Sequence, residues 1–208
     1  MSAADIAPGT GEAGVAGVER DAAGVVVPVF SAERMTELGR RLAALLRPGD
    51  LVLLSGELGA GKTTLTRGIG VGLGVRGAVT SPTFVIARVH PSEVGGPALV
   101  HVDAYRLGGG LEEMEDLDLD VSLPDSVVVV EWGEGKVEEL SEDRLHVVIE
   151  RRIGGDAAGV VGVAGEAGVG AGVAGEPEVG EEEHDPRLVR LVGHGRRWAG
   201  VDLAALGD

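Results

Sequence analysis

The sequence predicts an α/β fold with a mixed central sheet flanked by helices, and three observations lead to this prediction. Short apolar runs typical of buried strands alternate along the chain with segments of helical spacing. A glycine-rich loop joins one such strand directly to a helix, in the stretch "LVLLSGELGAGKTTLTRGIGVGLG" at residues 51–74. Near the C-terminus, apolar and polar residues alternate as in a half-exposed strand, which predicts an antiparallel portion of the sheet.

The first predicted helix begins at Ser31, whose side chain can cap it. In "SAERMTELGRRLAALL" the apolar residues recur at helical spacing and share one face. These residues are Met35, Leu38, Leu42, Leu45 and Leu46. The turn formed by Pro48, Gly49 and Asp50 is expected to end this segment.

The remaining elements follow from apolar runs, alternation and turn signals. The predicted strands are residues 51–54, 84–90, 98–102, 127–130 and 145–153, and a second helix is predicted over 63–73. Part of "LEEMEDLDLDVSL" is expected to be helical. Residues 187–192 and 196–201 are predicted to pair as a hairpin across the Gly193-His194-Gly195 turn.

Two segments have a composition unlike the rest of the chain. They consist mainly of Gly, Ala, Val and Glu, and their valines are separated by glycines. Such segments bury too little apolar surface to offset the entropy lost on ordering glycine. We therefore predict a disordered tail (1–24), a folded core (25–153), a disordered acidic Gly-rich insert (154–183) and a C-terminal strand hairpin of the core (184–208).

The composition excludes several classes of protein. The net charge of −16 over 208 residues argues against a protein that binds nucleic acid by itself, because phosphate backbones are bound through Lys and Arg surfaces. The absence of cysteine excludes disulfides and thiolate metal sites. The N-terminus lacks the features of a signal peptide, and no stretch reaches the roughly 20 apolar residues of a membrane-spanning helix. We expect a cytoplasmic protein with no membrane partner.

The glycine-rich loop fits the phosphate-binding pattern G-x-x-x-x-G-K-[ST] between a strand and a helix. The residues of the motif are Gly56, Glu57, Leu58, Gly59, Ala60, Gly61, Lys62 and Thr63. Glycines allow the backbone to bend so that its N–H groups face the phosphates at the positive end of the next helix. Lys62 is expected to reach the terminal phosphates, Thr63 to bind Mg2+, and Thr64 to lie near the α-phosphate. The motif predicts a P-loop NTPase fold.

A P-loop site also needs an acidic residue at the end of an apolar strand. Glu131 ends "SVVVVEW" and Asp103 ends "ALVHVDAYR". We assign Glu131 to the metal because its strand is the more apolar. Asp103 is expected to orient the attacking water or to join the outer shell of the metal. Lys62, Asp103 and Glu131 are thus the candidate catalytic residues.

Three further residues have two interpretations each. In "VTSPTFVIARVH", Thr83 belongs either to a rigid turn or to a switch segment that senses the γ-phosphate through Mg2+. Arg106 can neutralise phosphate charge or pair with an acid. Trp132 can pack near the nucleotide or fill the core, and we favour the core.

The chain contains no asparagine, so it lacks the Asn-Lys-x-Asp element with which switch GTPases read guanine. ATP, with ADP as its product, is therefore the expected nucleotide. A small-molecule kinase and a nucleotide-gated binding module remain alternatives at this point.

The segments "GELGAGKTTLTRGIGVGLG", "SPTFVI", "HVDAYRL", "LEEMEDL" and "VVVVEWGEG" occur in the order and spacing of the TsaE (YjeE) family. The chain resembles this family over about residues 30–153. The resemblance implies a small bacterial Mg2+-dependent ATPase, weak alone, that is required for threonylcarbamoyladenosine modification of tRNA. It also implies that the partners are TsaB and TsaD, and that tRNA is contacted indirectly through that complex.

The same resemblance places Lys62 and Thr63 on phosphate and Mg2+, and Thr83 in the switch loop. It makes Asp103 and Glu131 the essential acids, with Trp132 beside Glu131. The N-terminal extension, the insert and the stretch "MEDLDLD" depart from the family pattern, so their roles do not follow from it.

Overall fold

A computed structural model describes residues 24–82, 86–106, 122–135, 137–138, 140–151 and 186–207. These residues form one seven-stranded mixed sheet with two α-helices, which confirms the predicted α/β class. The elements in chain order are β1 (Val25–Val29), α1 (Ala32–Ala43), β2 (Leu51–Gly56), α2 (Lys62–Leu73), β3 (Ala87–His90), β4 (Ala98–Asp103), β5 (Ser126–Glu131), β6 (Arg144–Arg151) and β7 (Arg187–His194).

The strand order across the sheet is β1-β7-β6-β2-β5-β4-β3. The four central strands β6, β2, β5 and β4 are parallel, whereas the outer pairs are antiparallel. Because parallel strands end at the same edge, the loop after β2 lies beside the ends of β4 and β5. The predicted phosphate loop and both predicted acids therefore meet at one edge of the sheet.

Both α-helices pack on the same face of the sheet. Side chains alternate along β2, so that Val52 and Leu54 join the cluster that includes α1 and α2, while Leu51 and Leu53 face the opposite side. On that opposite side, the strands pack against residues of short turns, among them Val137.

Helix α1 begins where the sequence predicts but ends at Ala43, so that Leu45 and Leu46 of the predicted apolar face lie beyond it. Ser31 caps it, since its Oγ accepts a hydrogen bond from the N–H of Arg34 at 3.2 Å. Glycines let α1 and α2 approach closely: a Cβ on Gly39 would lie 2.3 Å from the carbonyl oxygen of Leu65, and one on Gly68 would lie 2.1 Å from that of Thr36. Small residues at both crossing positions thus set the distance between the helices.

The predicted C-terminal hairpin is wrong in its second strand. β7 extends through the expected turn to His194 and pairs antiparallel with β6 on one side and β1 on the other. The chain then reverses at Gly195 in the left-handed region (φ 77°), and residues 196–200 form turns. Trp198 packs so closely on β7 that a Cβ on Gly193 would lie 2.6 Å from its Cβ. Strand β1 was not predicted.

A buried ion pair holds this C-terminal segment to Asp50, the residue that precedes β2. The Nε and Nη2 atoms of Arg197 donate to the two carboxylate oxygens of Asp50 at 2.8 and 2.7 Å. Nη2 also donates to the carbonyl oxygen of Leu45 at 2.6 Å. This long-range attachment, rather than strand pairing, determines the path of the chain after β7.

Several predictions fall outside the described residues. They are the tail apart from Gly24, the whole insert, Phe84 at the predicted start of β3, and most of "LEEMEDLDLDVSL". Within the ranges that the structure describes, no helix is long and apolar enough to cross a membrane.

Candidate functional site

The glycine-rich loop bends through three glycines with positive φ. Gly56, Gly59 and Gly61 have φ values of 145°, 78° and 112°, which side chains rarely permit. Gly56 also has no room for a side chain, since a Cβ there would lie 2.4 Å from the carbonyl oxygen of Ile149. Gly61 caps α2 without a side-chain hydrogen bond. The first-turn N–H groups of α2 are therefore left for an anion.

Lys62 lies beneath this loop and is only 5% exposed. Its Nζ donates to the carbonyl oxygens of Gly56 and Glu57 at 2.7 and 2.9 Å. It also lies 3.8 Å from the centroid of the Trp132 ring, a cation–π contact. Burial lowers the pKa of Lys62, while the nearby carboxylates of Glu131 and Asp103 oppose this shift.

Glu131 lies at the end of β5 and is 3% exposed. Its Oε1 and Oε2 accept from the Thr63 hydroxyl at 3.0 and 3.2 Å. Nε2 of His101, on the neighbouring strand β4, lies 2.8 Å from the same Oε1. The first turn of α2 and two adjacent strands are thus joined at one carboxylate.

Asp103 lies directly opposite Glu131 in the β4–β5 register, but its hydrogen bonds are separate. Its Oδ2 accepts from the Ser81 hydroxyl at 3.2 Å, and its Oδ1 from the N–H of Tyr105 at 3.2 Å. The two predicted acids therefore share a site while holding different partners.

These groups surround a cleft of about 380 Å³. The residues that line it are Leu58, Gly59, Gly61, Lys62, Thr63, Thr64, Ser81, Asp103, Glu131 and Trp132. Trp132 is half-buried on the wall of this cleft, so the expectation that it fills the core is wrong. Its backbone takes the left-handed conformation (φ 62°), and its ring contacts that of Tyr105 at a centroid distance of 5.3 Å.

Three residues of the predicted phosphate loop do not line the cleft. Gly56 and Glu57 contribute the carbonyl oxygens that hold Lys62. Ala60 is fully buried in the core, and its carbonyl oxygen accepts from Nε of Arg187 at 2.9 Å. Thr83 lies outside the described residues.

Sequence reasoning missed three residues at or beside this site: Ser81, His101 and Arg187. His101 had a detectable signal, because it is a polar residue inside an otherwise apolar strand, on the same face as Asp103 two positions later. Arg106 lies in the short 3-10 turn after β4, and its predicted role stays a prediction.

The site suits a magnesium ion held together with phosphates. Mg2+ prefers oxygen ligands and is usually bound through one or two carboxylates plus the phosphates of the substrate. The hydroxyl of Thr63 and the carboxylate of Glu131 are oxygen donors within hydrogen-bond distance of each other at the mouth of the phosphate loop. These residues therefore fit the ion.

A family model described as "Threonylcarbamoyl adenosine biosynthesis protein TsaE" matches residues 29–156. The chain belongs to the TsaE family. A Streptomyces coelicolor protein named "tRNA threonylcarbamoyladenosine biosynthesis protein TsaE" is 64% identical over 172 residues, which cover 83% of this chain and 99% of that protein. A Bacillus subtilis protein of the same name is 41% identical over 120 residues, covering 57% of this chain and 73% of that one.

The fold agrees with this membership of the TsaE family. The crystal structure of Bacillus subtilis YdiB superposes with a TM-score of 0.56 at 28% identity, covering 84% of this chain and 88% of that one. The resemblance read from the motifs is thereby confirmed as family membership.

Proposed function

We propose that this TsaE-family chain binds and hydrolyses ATP with Mg2+, and that it serves the threonylcarbamoyladenosine modification of tRNA together with TsaB and TsaD. One observation carries the proposal: the phosphate loop, Lys62, Thr63 and two strand-end carboxylates surround a single cleft. The proposed place of action is the cytoplasm.

The loop and Lys62 bind the phosphates in this proposal. Gly61 has no side chain to cap the N–H groups at the start of α2, so these groups can bind the phosphates. Lys62 is already buried beside the loop, where its two hydrogen bonds to carbonyl oxygens can be exchanged for bonds to phosphate oxygens. A charged donor in this partly dehydrated site interacts strongly with a triphosphate.

Thr63 and Glu131 would hold the magnesium ion. When bound, such an ion neutralises charge on the transferred phosphoryl group and orients its oxygens. Glu131 provides the carboxylate from a buried position, and the Thr63 hydroxyl is already directed at it. Little rearrangement of these two side chains is needed to form the site.

Asp103 is proposed to orient the attacking water or an outer-shell water of the metal. It lines the cleft and accepts hydrogen bonds from Ser81 and Tyr105 rather than from the Thr63–Glu131 pair. Its carboxylate is thus held independently of the metal site and can accept a proton from water.

The role in tRNA modification rests on the names of the relatives and on the family model. The proposed partners TsaB and TsaD, and contact with tRNA only through them, agree with a chain whose net charge is −16. A protein so acidic requires its partners to supply the basic surface for tRNA.

Calorimetry with ATP and Mg2+ tests nucleotide binding. We expect binding by the unaltered chain, at least a hundredfold weaker binding by Lys62→Ala, and no change for Arg190→Ala, which removes an exposed positive charge on β7 outside the cleft. Absence of binding by the unaltered chain would refute the proposal.

A second assay tests the role in the pathway. ATP hydrolysis is expected to rise when TsaB and TsaD are added, and tRNA modification by the reconstituted mixture should require this chain. ATP consumption that depends instead on a small hydroxylated metabolite, with phosphate transferred to it, would indicate a kinase. Modification that persists with a variant that binds but cannot hydrolyse ATP would indicate a nucleotide-gated binding module.

A further inference from the structure

We propose that His101 is a positioning residue that orients the Glu131 carboxylate for the magnesium ion. The inference rests on the proposed metal role of Glu131 and extends it to a buried side chain that does not line the cleft. It is carried by the placement of His101 in β4 and by its hydrogen bond.

His101 is completely buried, and its Nε2 lies 2.8 Å from Oε1 of Glu131. In the β4–β5 register it stands opposite Val129, and Asp103 stands opposite Glu131. Because side chains on one face of a strand recur every second residue, His101, Asp103 and Glu131 all project towards the helix side of the sheet. The Glu131 side chain therefore extends from its own position towards that of Val129, where its carboxylate contacts the imidazole of His101.

The proposed role of Glu131 requires a particular direction for this hydrogen bond. A carboxylate that binds a metal ion only accepts hydrogen bonds, so Nε2 of His101 would be the donor. Among the described residues, Nδ1 of His101 is buried without a hydrogen-bond partner. The hydrogen bond to Glu131 is consequently the single polar contact of this ring within the described part of the chain, and it determines which nitrogen carries the proton.

The hydrogen bonds at the carboxylate are unequal. Oε1 lies 2.8 Å from Nε2 of His101 and 3.0 Å from the Thr63 hydroxyl. Among the described residues, the one partner of Oε2 is that same hydroxyl, at 3.2 Å. Two donors on one oxygen restrict rotation of the carboxylate and leave Oε2 as the oxygen with capacity for a metal or its water. Without His101, a buried carboxylate that must bind Mg2+ loses one of its two side-chain donors.

Calorimetric titration of ADP across a series of Mg2+ concentrations, and in EDTA, tests this inference without relying on hydrolysis. His101→Leu is expected to raise the Mg2+ concentration needed for tight ADP binding by roughly 10- to 100-fold, the usual cost of losing an outer partner of a metal ligand. Affinity in EDTA should change by less than about threefold, because the phosphate loop is untouched.

Three variants control for folding and geometry. His101→Gln places an amide donor near the Nε2 position and should restore most of the Mg2+ response, whereas the shorter His101→Asn should not. His90→Leu removes another buried histidine, from β3, whose Nδ1 contacts the carbonyl oxygen of Arg76 instead of Glu131. It should leave the Mg2+ response unchanged. If His101→Leu does not fold, the difference between the Gln and Asn variants decides the question.

The result that overturns the inference is a His101→Leu protein whose Mg2+ response equals that of the unaltered chain. Equal responses of the Gln and Asn variants would also overturn it. If the unaltered chain itself binds ADP equally well with and without Mg2+, the proposed metal role of Glu131 fails, and this inference fails with it. The Mg2+ response of the unaltered protein thus distinguishes failure of the proposed metal role of Glu131 from failure of the His101 inference alone.

Discussion

The Thr63 hydroxyl donates its one hydrogen to the Glu131 carboxylate, with Oγ1 at 3.0 and 3.2 Å from the two carboxylate oxygens. The two residues belong to different elements, the first turn of α2 and the end of β5. The parallel pairing of β2 with β5 brings them together, because the loop after β2 leads into α2 beside the end of β5. The oxygen donors proposed for Mg2+ are thus positioned by the sheet itself.

Replacing Glu131 by Gln keeps the shape of this contact and removes its charge. We expect the kcat for ATP hydrolysis to fall at least a hundredfold, because a neutral amide is a poor ligand for Mg2+. ADP affinity in EDTA should change less than threefold. Steady-state ATPase assays and calorimetry measure the two effects. Glu134→Gln, at a mostly exposed position three residues on, is the matched control and should retain hydrolysis.

The parts of the structure that the sequence predicts are those encoded by local patterns. The phosphate loop is a contiguous motif. The apolar runs before Asp103 and Glu131 predict buried strands, and the ends of parallel strands are expected to lie at the same edge of the sheet as that loop. The helical spacing of the apolar residues and the Ser31 cap likewise predict α1 from one short stretch of sequence. Each of these inferences uses only residues that are neighbours in the chain.

The parts that were missed depend on contacts between distant residues. Arg197 meets Asp50 across 147 positions, and Arg187 meets Ala60 across 127. The hairpin expected after β7 fails because this ion pair and the packing of Trp198 draw the chain away from strand pairing. β1 was missed because Pro28 interrupts its apolar run, which is tolerated only because β1 is an edge strand.

The Arg197–Asp50 pair predicts a large effect on stability. Its side chains are 10% and 3% exposed, so Arg197→Met leaves a buried carboxylate without its counter-charge. Breaking such a pair costs about 3–5 kcal/mol of unfolding free energy, which urea denaturation measures. Arg196→Met, at the exposed neighbouring position, should cost less than about 0.5 kcal/mol. A loss of unfolding free energy in Arg197→Met as small as that expected of Arg196→Met would show that the ion pair contributes little to stability.

The close contact between α1 and α2 predicts that replacing a glycine there by alanine lowers stability, although helix propensity alone predicts an increase. In an exposed helix, Gly→Ala adds up to about 1 kcal/mol of stability. In Gly68→Ala, however, the new methyl group would lie 2.1 Å from the carbonyl oxygen of Thr36, so we expect a loss of about 1–3 kcal/mol. Gly96→Ala, where the nearest atom would be 3.8 Å away, is the control. A more stable Gly68→Ala protein would contradict the close helix packing.

The buried histidine of β3 predicts that the protein is less stable in mild acid. Burial lowers the pKa of His90 from its ordinary value of 6.5; the carbonyl of Arg76 opposes the shift, while His101 and Arg88 reinforce it. As the pH falls below about 6.5, the unfolded chain takes up a proton at this position before the native protein does. The free energy of unfolding therefore decreases between pH 6.5 and the lowered native pKa, and no further below it.

His90→Gln removes this proton uptake from both the native and the unfolded state. The unfolding free energy of the variant should therefore depend less on pH, and the difference in slope corresponds to at most one bound proton. Urea denaturation at pH 7.5 and at pH 5.5, at constant ionic strength, measures the difference. At pH 7.5 the histidine is mainly neutral in both states. The difference in unfolding free energy between His90→Gln and the unaltered chain at that pH therefore reports only the change in packing. An unchanged difference between the two pH values would show that another group is responsible. His194, whose pKa burial also lowers, with Arg144 and His146 nearby, would then be the next position to replace.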